Sequence, residues 1–380
     1  MEEDLGIYLH FPFCVRKCRY CDFLSAPADG SVRHAYAEAL AREIRAQAET
    51  AADAEVSTVF LGGGTPSYME AGDLAAVMDA LGSAFRLKAD AEITMEVNPG
   101  TLDGDLLSFI RTYVNRVSMG VQSFHDGELK TLGRIHTARE AVRGISLLRE
   151  AGVTNLSLDL MTGIPGQTEE TLKTTLAEAL AHAPEHLSVY SLIVEEGTPF
   201  FTLADEGRLA LPGEEAERAM YWDTRCALAE AGYASYEISN YAREGFACRH
   251  NLRYWERKSY LGFGTGAASL RKETRWKNTP DLDFYLKNSG NPSALMRETE
   301  VLPLRARMEE FAFLGLRKTE GIREADFASA FGIPFESIYG ETAEKLRRKG
   351  LLAEEDGRWS LTERGVDISN TVMAEFLLDA

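Results

Sequence analysis

Cys14, Cys18 and Cys21 stand close together in the run His10-Phe11-Pro12-Phe13-Cys14-Val15-Arg16-Lys17-Cys18-Arg19-Tyr20-Cys21. The spacing is C-x3-C-x2-C. Cubane iron–sulfur clusters are otherwise held by four cysteines, so three thiolates in one short loop leave one iron without a protein ligand. An iron left open can bind a small molecule, which turns an electron carrier into a reactive site. Two plainer readings compete. Structural zinc takes four protein ligands, commonly as two close pairs, and the chain has no second C-x2-C. Disulfides are disfavoured by the odd count of five cysteines and by the lack of an apolar leader before the motif. Of the other two cysteines, Cys226 lies in a helical stretch with Met220, Trp222, Leu228 and Ala229 and is expected in the core. Cys248 stands two residues before His250.

The elements that must hold such a loop alternate along the first half of the chain. Strands are expected at 6–10, 56–61, 92–97, 116–121, 155–160 and 186–191. Helices are expected at 32–51, 71–85, 104–113, 138–151 and 169–181. In the last of these Thr168 can cap the N-terminus, Glu169 and Glu170 suit its dipole, and Leu172, Leu176 and Leu180 form one apolar stripe. Six βα repeats imply a parallel sheet, in which ligands bind outside the carboxyl ends of the strands. Residues 201–302 are less regular, with a helix at 214–231 and an aromatic-rich stretch from Tyr233 to Trp276. Beyond 303, helices at 305–316, 324–331 and 336–348, a hairpin at 351–361 and a final helix opening at Thr362 suggest a winged-helix-like module. The expected units are thus 1–200, 201–302 and 303–380.

Composition narrows the class. The chain has 380 residues, 45% hydrophobic and 26% charged, with a formal net charge of −18. That balance argues against nucleic acid as a partner, because phosphate binding needs concentrated Lys and Arg. The basic run Lys345-Leu346-Arg347-Arg348-Lys349 invites a DNA-binding reading, but cations at a helix C-terminus also complement its dipole. No apolar run reaches the roughly 18 residues that span a bilayer. Free thiols fit a reducing cytoplasm.

The cysteine loop resembles that of the radical S-adenosylmethionine (radical SAM) superfamily, and Gly6-Ile7-Tyr8-Leu9-His10-Phe11-Pro12-Phe13-Cys14 is similar to the branch holding oxygen-independent coproporphyrinogen III oxidases and HemW heme chaperones. The resemblance covers nearly the whole chain. It implies an α/β fold, a partial (β/α)6 barrel with the C-terminal module appended. It implies a [4Fe–4S] cluster on Cys14, Cys18 and Cys21, with SAM on the open iron. Gly62-Gly63-Gly64-Thr65-Pro66 follows the second strand and resembles the segment that meets the methionyl amino group, which makes Gly64 and Thr65 site candidates. The remaining SAM positions carried over are Tyr8, Tyr20, Glu96, Gln122, Arg134, Asp159 and, more weakly matched, Ile193. The chemistry suits them, since carboxylates accept from ribose hydroxyls and Arg pairs with carboxylate.

The string His250-Asn251-Leu252-Arg253-Tyr254-Trp255 resembles the H-N-x-x-Y-W motif associated with heme binding in the HemW family. Imidazole is a normal axial ligand of heme iron and aromatic rings pack on the macrocycle. His250, Asn251, Tyr254 and Trp255 are the heme candidates, with His10 and Cys248 as alternative ligands. Two functions share the scaffold. One is a heme chaperone, with heme as cargo, a heme-accepting protein (respiratory and membrane-associated) as partner, and SAM turnover left open along with homodimer formation. The other is the oxidase, which decarboxylates porphyrinogen propionates. The oxidase carries a fourth cysteine where this chain has Phe23, a long N-terminal extension where about five residues are expected before the first strand, and no counterpart of 250–255. The resemblance therefore points to the chaperone and assigns no catalytic residue. A redox-sensing DNA-binding regulator is a third reading, opposed by the acidic balance.

Overall fold

The computed structural model describes residues 3–51 and 53–378. Six parallel strands open the chain: β1 (Glu3–Phe11), β2 (Ala54–Gly63), β3 (Arg86–Val97), β4 (Arg116–Gln122), β5 (Leu156–Thr162) and β6 (His186–Ser191). Each pairs with the next. Between them run α1 (Gly30–Gln47), α2 (Ala71–Ala84), α3 (Gly104–Tyr113), α4 (Asp126–Leu132), α5 (Ala138–Glu150) and α6 (Glu169–Ala181). All six expected strands are present; the sixth keeps its expected bounds, and the others differ at one or both ends, most at β3, which begins six residues earlier. The first expected helix is shorter than its reading: α1 ends at Gln47, followed by a 3-10 turn at Ala48–Ala51. Side chains start the helices as the sequence suggests. Thr168 accepts from the Thr171 N–H, and Thr137 and Glu140 form a reciprocal cap on α5.

The strands alternate with period two, and the two faces differ in chemistry. On β4, Val117, Met119 and Val121 are fully buried in the core, whereas Arg116, Ser118, Gly120 and Gln122 border an internal cavity. On β5, Leu156, Leu158 and Leu160 join the core, while Asp159 and Met161 face that cavity. On these two strands the polar side chains turn to the lumen and the opposite face is apolar.

The middle segment is more ordered than its sequence suggested. After α7 (Pro199–Asp205) and α8 (Glu214–Glu230) come β7 (Ala234–Ser235), β8 (Asn240–Ala242), α9 (Arg249–Trp255), β9 (Tyr260–Phe263), β10 (Ala268–Arg271), β11 (Thr274–Asn278), α10 (Leu282–Asn288), α11 (Pro292–Leu295) and β12 (Met296–Val301). These strands extend both edges of the barrel sheet, in the order β12-β11-β10-β9-β1-β2-β3-β4-β5-β6-β8-β7. They are short and lack a sustained alternation, which hides them from a pattern reading. Cys226 departs from its expected place: it is exposed. Helix α8 buries Met220, Thr224 and Leu228 at a spacing of four, and Cys226 lies off that stripe.

A second core forms beyond 303. It is built by α12 (Leu304–Gly315), β13 (Ile322–Arg323), α13 (Glu324–Phe331), α14 (Phe335–Arg348), β14 (Leu352–Glu355), β15 (Arg358–Leu361), α15 (Glu363–Asp367) and α16 (Ser369–Ala374). The three strands pair as β13-β15-β14, a winged-helix arrangement. The basic run at the end of α14 is held by ion pairs, Lys345 to Glu375 and Arg347 to Glu344. Among the described residues no helix is long and apolar enough to cross a membrane. Phe327 is fully buried and meets Phe311, Phe331, Phe335 and Tyr339. Phe327→Ala is expected to cost about 3–5 kcal/mol of stability in this unit, seen as a lowered denaturation midpoint while the barrel transition stays in place.

Candidate cofactor site in the barrel lumen

The cysteine loop leaves the C-terminal end of β1 and is tied to its surroundings by backbone. Phe13 bridges Ala26, the Cys14 N–H donates to the Ala26 carbonyl at 3.2 Å, and the Arg19 N–H donates to the Leu132 carbonyl at 3.0 Å. Arg16 Nη2 donates to the Gly133 carbonyl at 2.9 Å. Cys14, Cys18 and Cys21 all border one cavity of about 650 Å³, a size suited to a small ligand. Burial pushes the Cys14 and Cys21 thiols up from their ordinary value.

The glycine run after β2 fits against this loop. The Gly64 N–H donates to the Phe11 carbonyl at 2.8 Å. A Cβ on Gly64 would lie 2.6 Å from the Phe13 carbonyl oxygen and 2.8 Å from that of Phe11. Only glycine permits this approach.

Polar side chains from the strand ends complete the wall. Arg134 is the connector: it reaches the Cys18 thiol at 3.7 Å, the Gly120 carbonyl at 2.7 Å and the Asn98 side-chain oxygen. Asn98 in turn donates to Thr65 Oγ1 at 2.9 Å. Gln122 has φ of +67°, a left-handed conformation costly for a non-glycine residue. Its side chain accepts from the Tyr190 hydroxyl at 2.8 Å. Asp159 accepts from Ser118 at 2.9 Å. Glu96 accepts from the Gly63 N–H at 3.1 Å. Enclosure, and then the Asp159 charge, push Glu96 up to about 8. Of the expected SAM positions, Tyr20, Gly64, Thr65, Glu96, Gln122, Arg134, Asp159 and Ile193 border the cavity. Tyr8 is not among the lining residues: its hydroxyl bonds His10 Nδ1 at 3.0 Å and its ring lies against Phe60.

The six heme candidates do not form one face. Asn251 and Trp255 border the cavity. On α9 these two share one side, and His250 and Tyr254 share the adjacent one. His250 is fully buried, with Nδ1 on Thr58 Oγ1 at 2.9 Å and Nε2 on the Tyr254 hydroxyl at 2.9 Å. Burial pushes it down to about 3, so it is neutral. Cys248 is buried with its thiol 3.6 Å from Glu92, and burial pushes it up to about 12. His10 is held between the Tyr8 hydroxyl and the Leu24 carbonyl. Neither ring nitrogen of either histidine is free for iron in this conformation. Helix α9 instead closes the end of the lumen opposite the cysteines. Glu92 accepts from the N–H groups of Arg249 and His250, and Arg253 bonds Asp4 and Ser57 near the starts of β1 and β2.

Arg116, Ser118, Ser188, Tyr190 and Asn240 also line the cavity and were not singled out from the sequence. The signal was present in β4, where polar residues or glycine alternate with Val117, Met119 and Val121.

Comparison with known proteins places this geometry. Residues 8–179 match the radical SAM superfamily and residues 302–368 match the HemN C-terminal domain. The chain is 36% identical over 381 residues to the heme chaperone HemW of Lactococcus lactis, covering 100% of this chain and 99% of that one. It is 36% identical to HemW of Bacillus subtilis (97% and 98% covered) and 34% identical to HemW of Escherichia coli (99% and 98%). The solved structure of coproporphyrinogen III oxidase HemN from Escherichia coli superimposes with a TM-score of 0.86 at 23% identity, covering 99% of this chain and 90% of that chain, a likeness of fold. The chain belongs to the radical SAM superfamily and, within it, to the HemW family.

Membership in that superfamily implies a [4Fe–4S] cluster and SAM, and the residues present fit both. Three thiols face one cavity, and a guanidinium with an unpartnered Nε stands beside one of them. Among the described residues no three His, Cys, Asp or Glu side chains converge on a single ion; a cubane instead takes one thiolate at each of three corners.

Two outcomes follow from this geometry. Gly64→Ala drives a Cβ into backbone, so it should cost about 1–3 kcal/mol and lower the iron retained per chain after reconstitution. Glu96 binds its proton more tightly folded than unfolded. Its contribution to stability is therefore complete below pH 4.5, its usual value, and is lost as pH rises towards about 8. Chemical denaturation of the cofactor-free protein across that window should show stability falling with pH, and Glu96→Gln should flatten the fall by an amount on the order of a few kcal/mol.

Proposed function

We propose that this chain is a heme chaperone, binding heme in the lumen and passing it to an acceptor protein in the cytoplasm or at the membrane of a respiratory chain. The observation that carries the reading is that Asn251 and Trp255, from the motif on α9, border the same cavity as Cys14, Cys18 and Cys21. Trp255 offers an aromatic surface to the macrocycle. Full-length identity to proteins named heme chaperone supports the same reading.

In this proposal the three cysteines hold the cluster and SAM lies along the strand ends. When bound, cluster and SAM supply one-electron chemistry. Gly64 and Thr65 meet the methionyl amino group, Arg134 stands near its carboxylate, and Glu96 and Asp159 accept from ribose hydroxyls. Tyr20 and Ile193 flank the opening. The oxidase alternative is disfavoured at Phe23, which is 60% exposed at the cavity rim where that enzyme has a further cysteine.

Anaerobic titration of the reconstituted protein decides between the two. Added heme should give a saturable change in the Soret region, and Trp255→Ala should weaken binding about tenfold. Coproporphyrinogen III supplied with SAM and a reductant should remain unconverted. Formation of protoporphyrinogen would overturn the chaperone reading.

A further inference from the structure

A buried cation stands in the lumen well away from the cysteines. Arg116 opens β4, is 1% exposed, and borders the cavity with Ser118, Asp159, Ser188 and Asn240. Its Nε has no hydrogen-bond partner among the described residues. Three carboxylates, Glu92, Asp159 and Glu96, interact with it through space, but all three are engaged elsewhere, Glu96 with the Gly63 N–H. Glu92 accepts from the N–H groups of Arg249 and His250, each at 3.0 Å. Asp159 accepts from Ser118 at 2.9 Å and Ser157 at 3.3 Å. The neighbouring His186 is neutral, pushed down by burial, and bonded to Ser157 and Tyr236. Three more buried polar atoms on cavity-lining residues are unpartnered: Arg134 Nε at the cysteine end, and Asn240 Oδ1 and Trp255 Nε1.

A guanidinium brings five donors in a planar fork. Burying it without a paired acceptor is costly. The group such a fork fits is a carboxylate, accepted through two parallel hydrogen bonds. Position separates this group from the cysteine end. Arg134 holds the Cys18 thiol and bonds the Gly120 carbonyl. Gly120 lies four residues along β4 from Arg116, about 13 Å of strand. A SAM molecule whose carboxylate sits beside the thiols does not also place it at Arg116. Arg116 instead interacts through space with Cys248 and His250 at the start of α9, the helix whose Asn251 and Trp255 border the same cavity.

We propose that Arg116 is a carboxylate-binding residue of the lumen and that it receives a propionate of the tetrapyrrole held against Asn251 and Trp255. The inference rests on the heme reading above. The anchor acts at the macrocycle's periphery, so it fixes orientation without ligating iron.

The test compares hemin with hemin dimethyl ester, whose propionates are blocked, in anaerobic titrations of the reconstituted wild type, Arg116→Met and Arg116→Lys. SAM binding is measured in parallel by equilibrium dialysis. The wild type should bind hemin at least about tenfold more tightly than the diester, as expected for a buried charge pair. Arg116→Met should bind both forms as weakly as the wild type binds the diester, and Arg116→Lys should restore part of the discrimination. SAM affinity should be unchanged. Loss of SAM affinity with hemin binding intact would keep Arg116 as a carboxylate site but assign the carboxylate to SAM. If Arg116→Met does not fold, the wild type and Arg116→Lys decide: equal affinity for acid and ester in the wild type rules out the propionate anchor. Wild-type affinity of Arg116→Met for both hemin and SAM overturns the inference altogether. A wild type that binds no hemin in either form sinks the heme reading, and the SAM arm alone then decides Arg116.

Discussion

The structure depends on one close contact, the backbone of the cysteine loop laid against the glycine run after β2. Gly64 can donate to the Phe11 carbonyl only because it has no Cβ to strike Phe11 and Phe13. Arg134 then fastens the same loop from the other side, linking Cys18 to Asn98 and to the β4 backbone. Three thiols on an otherwise short, polar loop acquire fixed positions from these contacts. Every proposed role for the cavity presupposes that placement.

Buried polar side chains stand in the lumen among apolar ones such as Phe60, Val97 and Met161, which is expensive and therefore informative. Ser118, Asp159, Glu96, Gln122, Tyr190 and Arg116 occupy inward positions that an ordinary barrel core would fill with aliphatic groups. Ser118 bonds Asp159, Tyr190 bonds Gln122, and Glu96 accepts from the Gly63 N–H. Unpartnered atoms stand at both ends, on Arg134 beside Cys18 and on Arg116, Asn240 and Trp255. Helix α9 closes the latter end, stapled by Arg253 to the starts of β1 and β2 and by Glu92 to the middle of β3. The motif on α9 thus has two sides: His250 and Tyr254 anchor the helix to the sheet, and Asn251 and Trp255 face the cavity.

Much of this was legible in the residues. The spacing of Cys14, Cys18 and Cys21 pointed to the site, and six alternating apolar runs located the six strands. Helices 104–113 and 169–181 end where capping chemistry and apolar spacing place them. What escaped has physical causes. Strands β7 to β12 derive their order from pairing at the sheet edges, which no local pattern records. Cys226 has apolar neighbours in sequence but lies off the stripe of α8. The string 250–255 reads as one unit, yet a seven-residue helix turns its members to different sides. Arg116 was hidden among apolar residues although its period-two spacing with Ser118 and Gln122 marked the lumen face.

The most direct test of the central claim is the iron and acid-labile sulfide content of the protein purified without oxygen, paired with counting of reactive thiols. Three positioned thiols with one open corner predict close to four iron and four sulfide per chain, with Cys14, Cys18 and Cys21 protected from alkylation until the cluster is removed. Zinc in place of iron, or metal-free protein in which those three thiols react freely after reconstitution, would contradict the account.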